Sequence, residues 1–170
     1  MNRPTGRRIA GVLATSAALV GGTLLGTTPA HAAWGTTYPV SVQVTYYNST
    51  GGATQIGRAD GWVQFDDGGN TFRYSFNVCR QSSYTWPRLQ VAVDAGYAGP
   101  TWTEVFLENY SFPNGNPTTP TAPCYGDTDV VSGQDTYTNP WNVEFVVTGD
   151  YYGASGHGYK SSNYTVGDPY

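Results

Sequence analysis

Few side chains in this chain could do chemistry. After residue 32 it carries one histidine, His157, and two cysteines, Cys79 and Cys124. A nucleophilic hydrolase would need His157 as its base. No serine lies in a Gly-x-Ser-x-Gly elbow, and Gly156-His157-Gly158 reads as a flexible turn. Glycoside hydrolysis would need two carboxyl groups flanking a cleft. Glu104, Glu108, Glu144, Asp127 and Asp150 have the chemistry, but their spacing selects no pair, and Glu104 and Glu144 are expected on solvent faces of strands. Asp127-x-Asp129 with Asp135 could offer oxygens to calcium. In an EF-hand, however, a third oxygen ligand belongs where Val131 stands, and Gly133 comes one place late, so solvated turn acids are the simpler reading. One histidine and no Cys-x-x-Cys leave no ligand set for a zinc or copper site. The expectation is a protein without catalytic residues, cofactor or metal, which works by binding.

The first 32 residues bear on where such a protein would act. Arg3, Arg7 and Arg8 form a basic start, residues 9–25 are mostly small and apolar, and Ala30-His31-Ala32 offers small residues at −3 and −1. This pattern is that of a cleaved secretory signal, with residues 33–170 as one exported domain. The apolar run is short of the roughly 20 residues that span a bilayer. Arg7-Arg8 leaves the twin-arginine route open beside the general one. An even cysteine count in an exported chain predicts a disulfide between Cys79 and Cys124. Closing that loop should stabilise the fold by about 4 kcal/mol on the chain-entropy model.

Beyond residue 32 lie twelve acidic residues and five basic ones (Arg58, Arg73, Arg80, Arg88 and Lys160), a formal charge of −7 with histidine neutral. Nucleic acid and anionic membranes are poor partners for this balance, because both demand clustered Lys and Arg to displace counterions. The sparse charge among many Thr, Ser, Asn, Gly and Tyr residues describes a neutral hydrogen-bonding surface rather than a disordered chain.

The elements that must position these residues are written in period two. Val40, Val42, Val44 and Tyr46 alternate with polar residues, as do Phe72, Tyr74, Phe76 and Val78, and Leu89, Val91, Val93 and Ala95. Such alternation predicts strands with one buried face. Ala59, Gly61, Val63 and Phe65 form a further strand, joined to Thr71 through Asp66-Asp67-Gly68-Gly69-Asn70 as a hairpin. Residues 102–108 and 142–149 follow, with weaker strands at 128–134 and 158–166. The fold class is all-β: a single antiparallel β-sandwich of about seven or eight strands, with a small barrel as the alternative and no helix after residue 32.

If the strands run simply up and down, residues 48–56, 80–87, 109–127 and 150–157 share one end of the sandwich. That end would collect Tyr84, Trp86, Tyr110, Phe112, Tyr125, Tyr151 and Tyr152, along with Arg80, Asp127, Asp150 and His157. Trp and Tyr present a flat apolar face with a polar edge, which suits stacking on sugars or docking on protein. Their other role is to cap the open end of the core. The leading expectation is a carbohydrate- or cell-envelope-binding module using these rings. The second is an inhibitor of an extracellular hydrolase presenting the Pro-rich loop 110–126, rigid enough to dock at low entropic cost. A carrier with an apolar cavity lined by Trp102 and Phe106, or a purely structural extracellular protein, completes the alternatives. The partner is thus a polysaccharide or an extracellular protein.

Overall fold

Alternating apolar residues can be buried only against a second alternating face, and this chain satisfies them with two sheets. The computed structural model describes residues 33–95, 104–112, 119–120 and 122–170. Eight strands follow in order: β1 (Trp34–Tyr47), β2 (Ala53–Asp66), β3 (Thr71–Cys79), β4 (Arg88–Val93), β5 (Val105–Tyr110), β6 (Thr128–Thr136), β7 (Asn142–Gly153) and β8 (Gly156–Gly167). One sheet has the order β1-β2-β3-β6 and the other β5-β4-β7-β8, with every pairing antiparallel. The two sheets are separate, so the fold is a sandwich and not a closed barrel.

The inner faces are those the alternation marks. Val40, Val42, Val44, Val63 and Phe65 from one sheet meet Leu89, Val91, Val93, Val143, Phe145 and Val147 from the other, all buried. Phe72, Tyr74 and Phe76 occupy successive inward positions of β3, and Phe145 packs against Tyr74 at 5.7 Å and Phe76 at 4.6 Å between ring centroids. Fully burying such a ring is worth about 1.5–3 kcal/mol, so this aromatic row contributes much of the cohesion between the layers.

Two strands are longer than the alternation implies, and one feature accounts for both. Between Val44 and Thr45 the β1–β2 register shifts, and Ile56 is the extra residue. That bulge breaks the period, so β2 begins at Ala53 and not near Ala59. Opposite it, a Cβ on Gly149 would lie 2.3 Å from the Ile56 carbonyl oxygen. Gly149 is therefore an inward position of β7 emptied to admit the bulge, not the end of the strand. β7 runs on to Gly153 and pairs with β8 from Gly156, whose φ of +98° suits glycine at the hairpin's close.

The up-and-down course brings residues 48–52, 80–87, 122–127 and 154–155 to one end. Cys79 and Cys124 are bonded there, with Cα atoms 5.6 Å apart. Among the described residues no helix is long and apolar enough to cross a membrane. That and the disulfide are compatible with an exported protein. The segment 1–32, the loop 96–103 with Trp102, and residues 113–118 and 121 of the Pro-rich stretch lie outside the described residues.

Candidate functional site

The aromatic end is built on a buried polar scaffold that leaves no periodic signature along the chain. Asp150, on the outer face of β7, is 1% exposed. Its Oδ1 accepts from the Ser83 hydroxyl and from the Thr85 backbone N–H at 3.0 Å, and its backbone N–H donates to Ser83 Oγ at 2.9 Å. Its Oδ2 contacts His157 Nε2 at 2.8 Å. Burial alone would raise the Asp150 pKa, but the hydrogen bonds from Ser83, Thr85 and His157 outweigh it and hold the group at about 2. An ionised carboxylate has no proton to give, so His157 Nε2–H is the donor and Nδ1 is left for the solvent side.

This dyad joins residues of β7, β8 and the 80–87 loop. Ser83 bonds to the carboxylate and not to the imidazole, so Ser83, Asp150 and His157 do not form a nucleophilic relay, in which the serine proton must pass to histidine. Two further side chains complete the loop's support. Arg80 donates to the carbonyls of Ser83 and Tyr84 and lies 3.5 Å from Asp127. Gln81, buried at φ +53°, accepts from Tyr125 N–H at 2.9 Å and donates to Gln55 and to the Pro123 carbonyl. A single buried Gln inside a loop has no periodic signature, so nothing short of the tertiary contacts reveals it.

On this scaffold stands a run of rings. Tyr84 meets Tyr152 edge to face (4.5 Å, 73°), Tyr152 stacks on His157 (4.8 Å, 30°), and His157 meets Tyr159 edge to face at 4.8 Å. Tyr84, Tyr152 and Tyr159 are each more than half exposed. A cleft of about 670 Å³ opens beside the first three, between the tips of the β1–β2 and β7–β8 hairpins. Its other walls are neutral: Asn48, Ser49, Thr54, Ser82 and Ser155 supply hydroxyl and amide groups. A smaller hollow of about 300 Å³ lies on the outer face of the second sheet, between Trp86, Phe112 and Tyr159.

The expected ring cluster is thus divided. Tyr84 and Tyr152 share the large cleft, whereas Trp86 stands in the smaller hollow with Phe112, 6.3 Å away at 31°. Trp86, Tyr84 and Tyr152 do not form one planar row, since the Tyr84 and Tyr152 rings lie at 73° to one another. Tyr151 points inward and stacks on Tyr46 at 3.9 Å. Tyr125 is exposed but tied by its hydroxyl to the Gln55 carbonyl at 3.1 Å. Tyr110 ends β5, not a loop: its hydroxyl lies 2.6 Å from that of Tyr74, which also donates to Asp135 at 3.0 Å. Burial, reinforced by Tyr110 and Asp135, drives the Tyr74 phenol far above its ordinary range. Gly133 makes room for this lock, since a Cβ there would lie 2.4 Å from the Tyr74 hydroxyl. Gly156-His157-Gly158, expected as a flexible turn, instead opens β8, which carries His157 and Tyr159 on one face.

The acidic candidates fall elsewhere. Asp127 lies by Arg80 and Asp135 by Tyr74, and Asp127, Asp129 and Asp135 do not gather within reach of one ion. Glu144 corrects an expectation: it is buried, not solvated, and accepts from the Asn163 amide. A hydrogen bond to Glu144, with burial and the charge beside it, raises the pKa of Glu104. Two carboxyl groups in hydrogen-bond contact are closer than the roughly 5 Å of a retaining glycosidase pair. Phe106 is 53% exposed and faces out of the core. Comparison with protein-family models, with curated proteins and with solved structures returned no match.

Proposed function

We propose that this protein is a non-enzymatic, exported carbohydrate-binding module whose site is the aromatic end of the sandwich. The observation that carries this reading is the run Tyr84–Tyr152–His157–Tyr159, exposed beside a cleft walled by neutral hydroxyl and amide groups. A pyranose has an apolar face that stacks on such rings and an equatorial rim of hydroxyls that both donates to and accepts from Ser, Thr and Asn side chains. The rings are not needed to seal the core. Tyr152, His157 and Tyr159 lie on the outer face of the second sheet, whereas Tyr46 and Tyr151 stack on its core side. Their support is rigid, because Asp150 locks His157 and the 80–87 loop together, which lowers the entropy lost on binding.

The test is co-sedimentation of the purified protein with insoluble cellulose, chitin, xylan and peptidoglycan at low and high salt. Salt-resistant binding to one polymer, weakened at least about tenfold by Tyr152→Ala, is expected from the loss of a stacking platform. No binding to any of the four by the folded protein would count against the reading.

A further inference from the structure

Three of the four arginines beyond residue 32 have identifiable structural partners. Arg58 bonds to Asp60, Gln43 and Ser41. Arg73 is held by Gln64 and lies 4.3 Å over the Trp34 ring. Arg80 supports the 80–87 loop. Arg88, the first residue of β4, is exposed, and its side chain makes no ion pair or hydrogen bond among the described residues. Its cross-strand neighbour Thr148 is already engaged with Ser161 at 2.7 Å.

Arg88 lines the smaller hollow together with Trp86, Phe112 and Tyr159. Asp150 also borders the hollow, but both its oxygens are taken by Ser83, Thr85 and His157, and its side chain is 0% exposed. The hollow is therefore lined by an arginine without a partner and by three aromatic residues, in a chain of net negative charge. The two sites are continuous, because Tyr159 lines the hollow while its ring touches His157, which lines the larger cleft.

We infer that the hollow is a subsite for a carboxylate-bearing sugar residue of a glycan lying along the ring strip, with Arg88 as the residue that reads the carboxylate. This deepens the carbohydrate-binding reading and rests on it. A guanidinium fork matches a carboxylate through two parallel N–H···O bonds, while Trp86 and Tyr159 offer faces to the ring that bears it. The carboxylate has two sources in extracellular glycans: a uronic acid, or the lactyl ether of an amino sugar.

Affinity electrophoresis and calorimetry of the purified protein would use glucuronoxylan, polygalacturonate and peptide-stripped peptidoglycan strands. Each would be compared with its carboxyl-reduced form. The expected result is a preference of about tenfold or more for one carboxylated polymer, weakened by salt and abolished in Arg88→Gln. The polymer preferred identifies the source. Equal affinity for both forms, or a preference that survives Arg88→Gln, overturns the subsite and leaves the ring strip standing. Failure of the folded protein to bind either form of any of these polymers overturns the subsite, and overturns the carbohydrate-binding reading as well when cellulose and chitin are not bound either.

Discussion

The two ends of the sandwich solve the same problem in opposite ways. At the end away from the cleft, among the described residues, polar side chains satisfy the turning backbone, with Trp141 and Tyr170 exposed beside them. Asp66 Oδ1 accepts from the N–H groups of Asn70 and Thr71, and Asn142 exchanges two hydrogen bonds with Ala95. Asp94 accepts from Trp141 N–H at 2.7 Å. At the cleft end, Asp150, Arg80 and Gln81 hold the loops just as firmly, yet the rings they carry stay exposed. Both ends are ordered by buried polar groups, so order alone does not mark a site. What distinguishes the cleft end is a connected run of exposed rings on that support.

That contrast can be broken or sharpened by measurement. The largest effect is expected from the paired change Cys79→Ser with Cys124→Ser, which should lower unfolding free energy by about 4 kcal/mol in urea titrations. Because the bond ties β3 to the segment before β6 at the cleft end, hydrogen exchange should rise first there and last around Asn142. Uniform loosening would mean that the two ends are not independent. Next, Asp150→Ala should cost about 3 kcal/mol, since it leaves Ser83, Thr85 N–H and His157 without their acceptor.

Acid offers the same test without mutation. The Asp150 pKa is lowered from 3.8 to about 2 on folding, so its contribution of about 2 kcal/mol is complete above about pH 4. It is lost as pH falls through 2. The wild type should therefore lose more stability over that window than Asp150→Asn does, and identical acid profiles would refute the assignment. The smallest change separates the ends most cleanly. Tyr152→Ala should alter stability by about 0.5 kcal/mol or less, whereas Asn142→Ala should cost about 1–3 kcal/mol and leave glycan binding unchanged. A large fall in melting temperature for Tyr152→Ala would make that ring part of the core.

Much of the fold was legible because burial writes a period into each strand. Val40, Val42 and Val44, or Leu89, Val91 and Val93, admit few other readings once one face must be dry. The signal failed where the backbone, not a side chain, occupied the inward position. Ile56 bulges out of register, and Gly149 empties itself to receive it, so each hid the continuation of its strand. Of the site, the gathering of Tyr84 and Tyr152 at one end followed from strand count alone. Their separation from Trp86 did not, because it depends on which face of which sheet each loop folds over.

Alone, the sequence determined the class of fold, the cysteine pair and the end at which the aromatic residues would collect. These follow from local periodicity and from the parity of strand direction. Only the tertiary structure decided that Asp150 is buried and grips His157, that Glu144 is covered, and that Arg88 stands unpaired beside Trp86 and Tyr159. Hydrogen-bond partnership and charge pairing join residues distant along the chain across distances of a few ångströms. No periodicity along the chain encodes them.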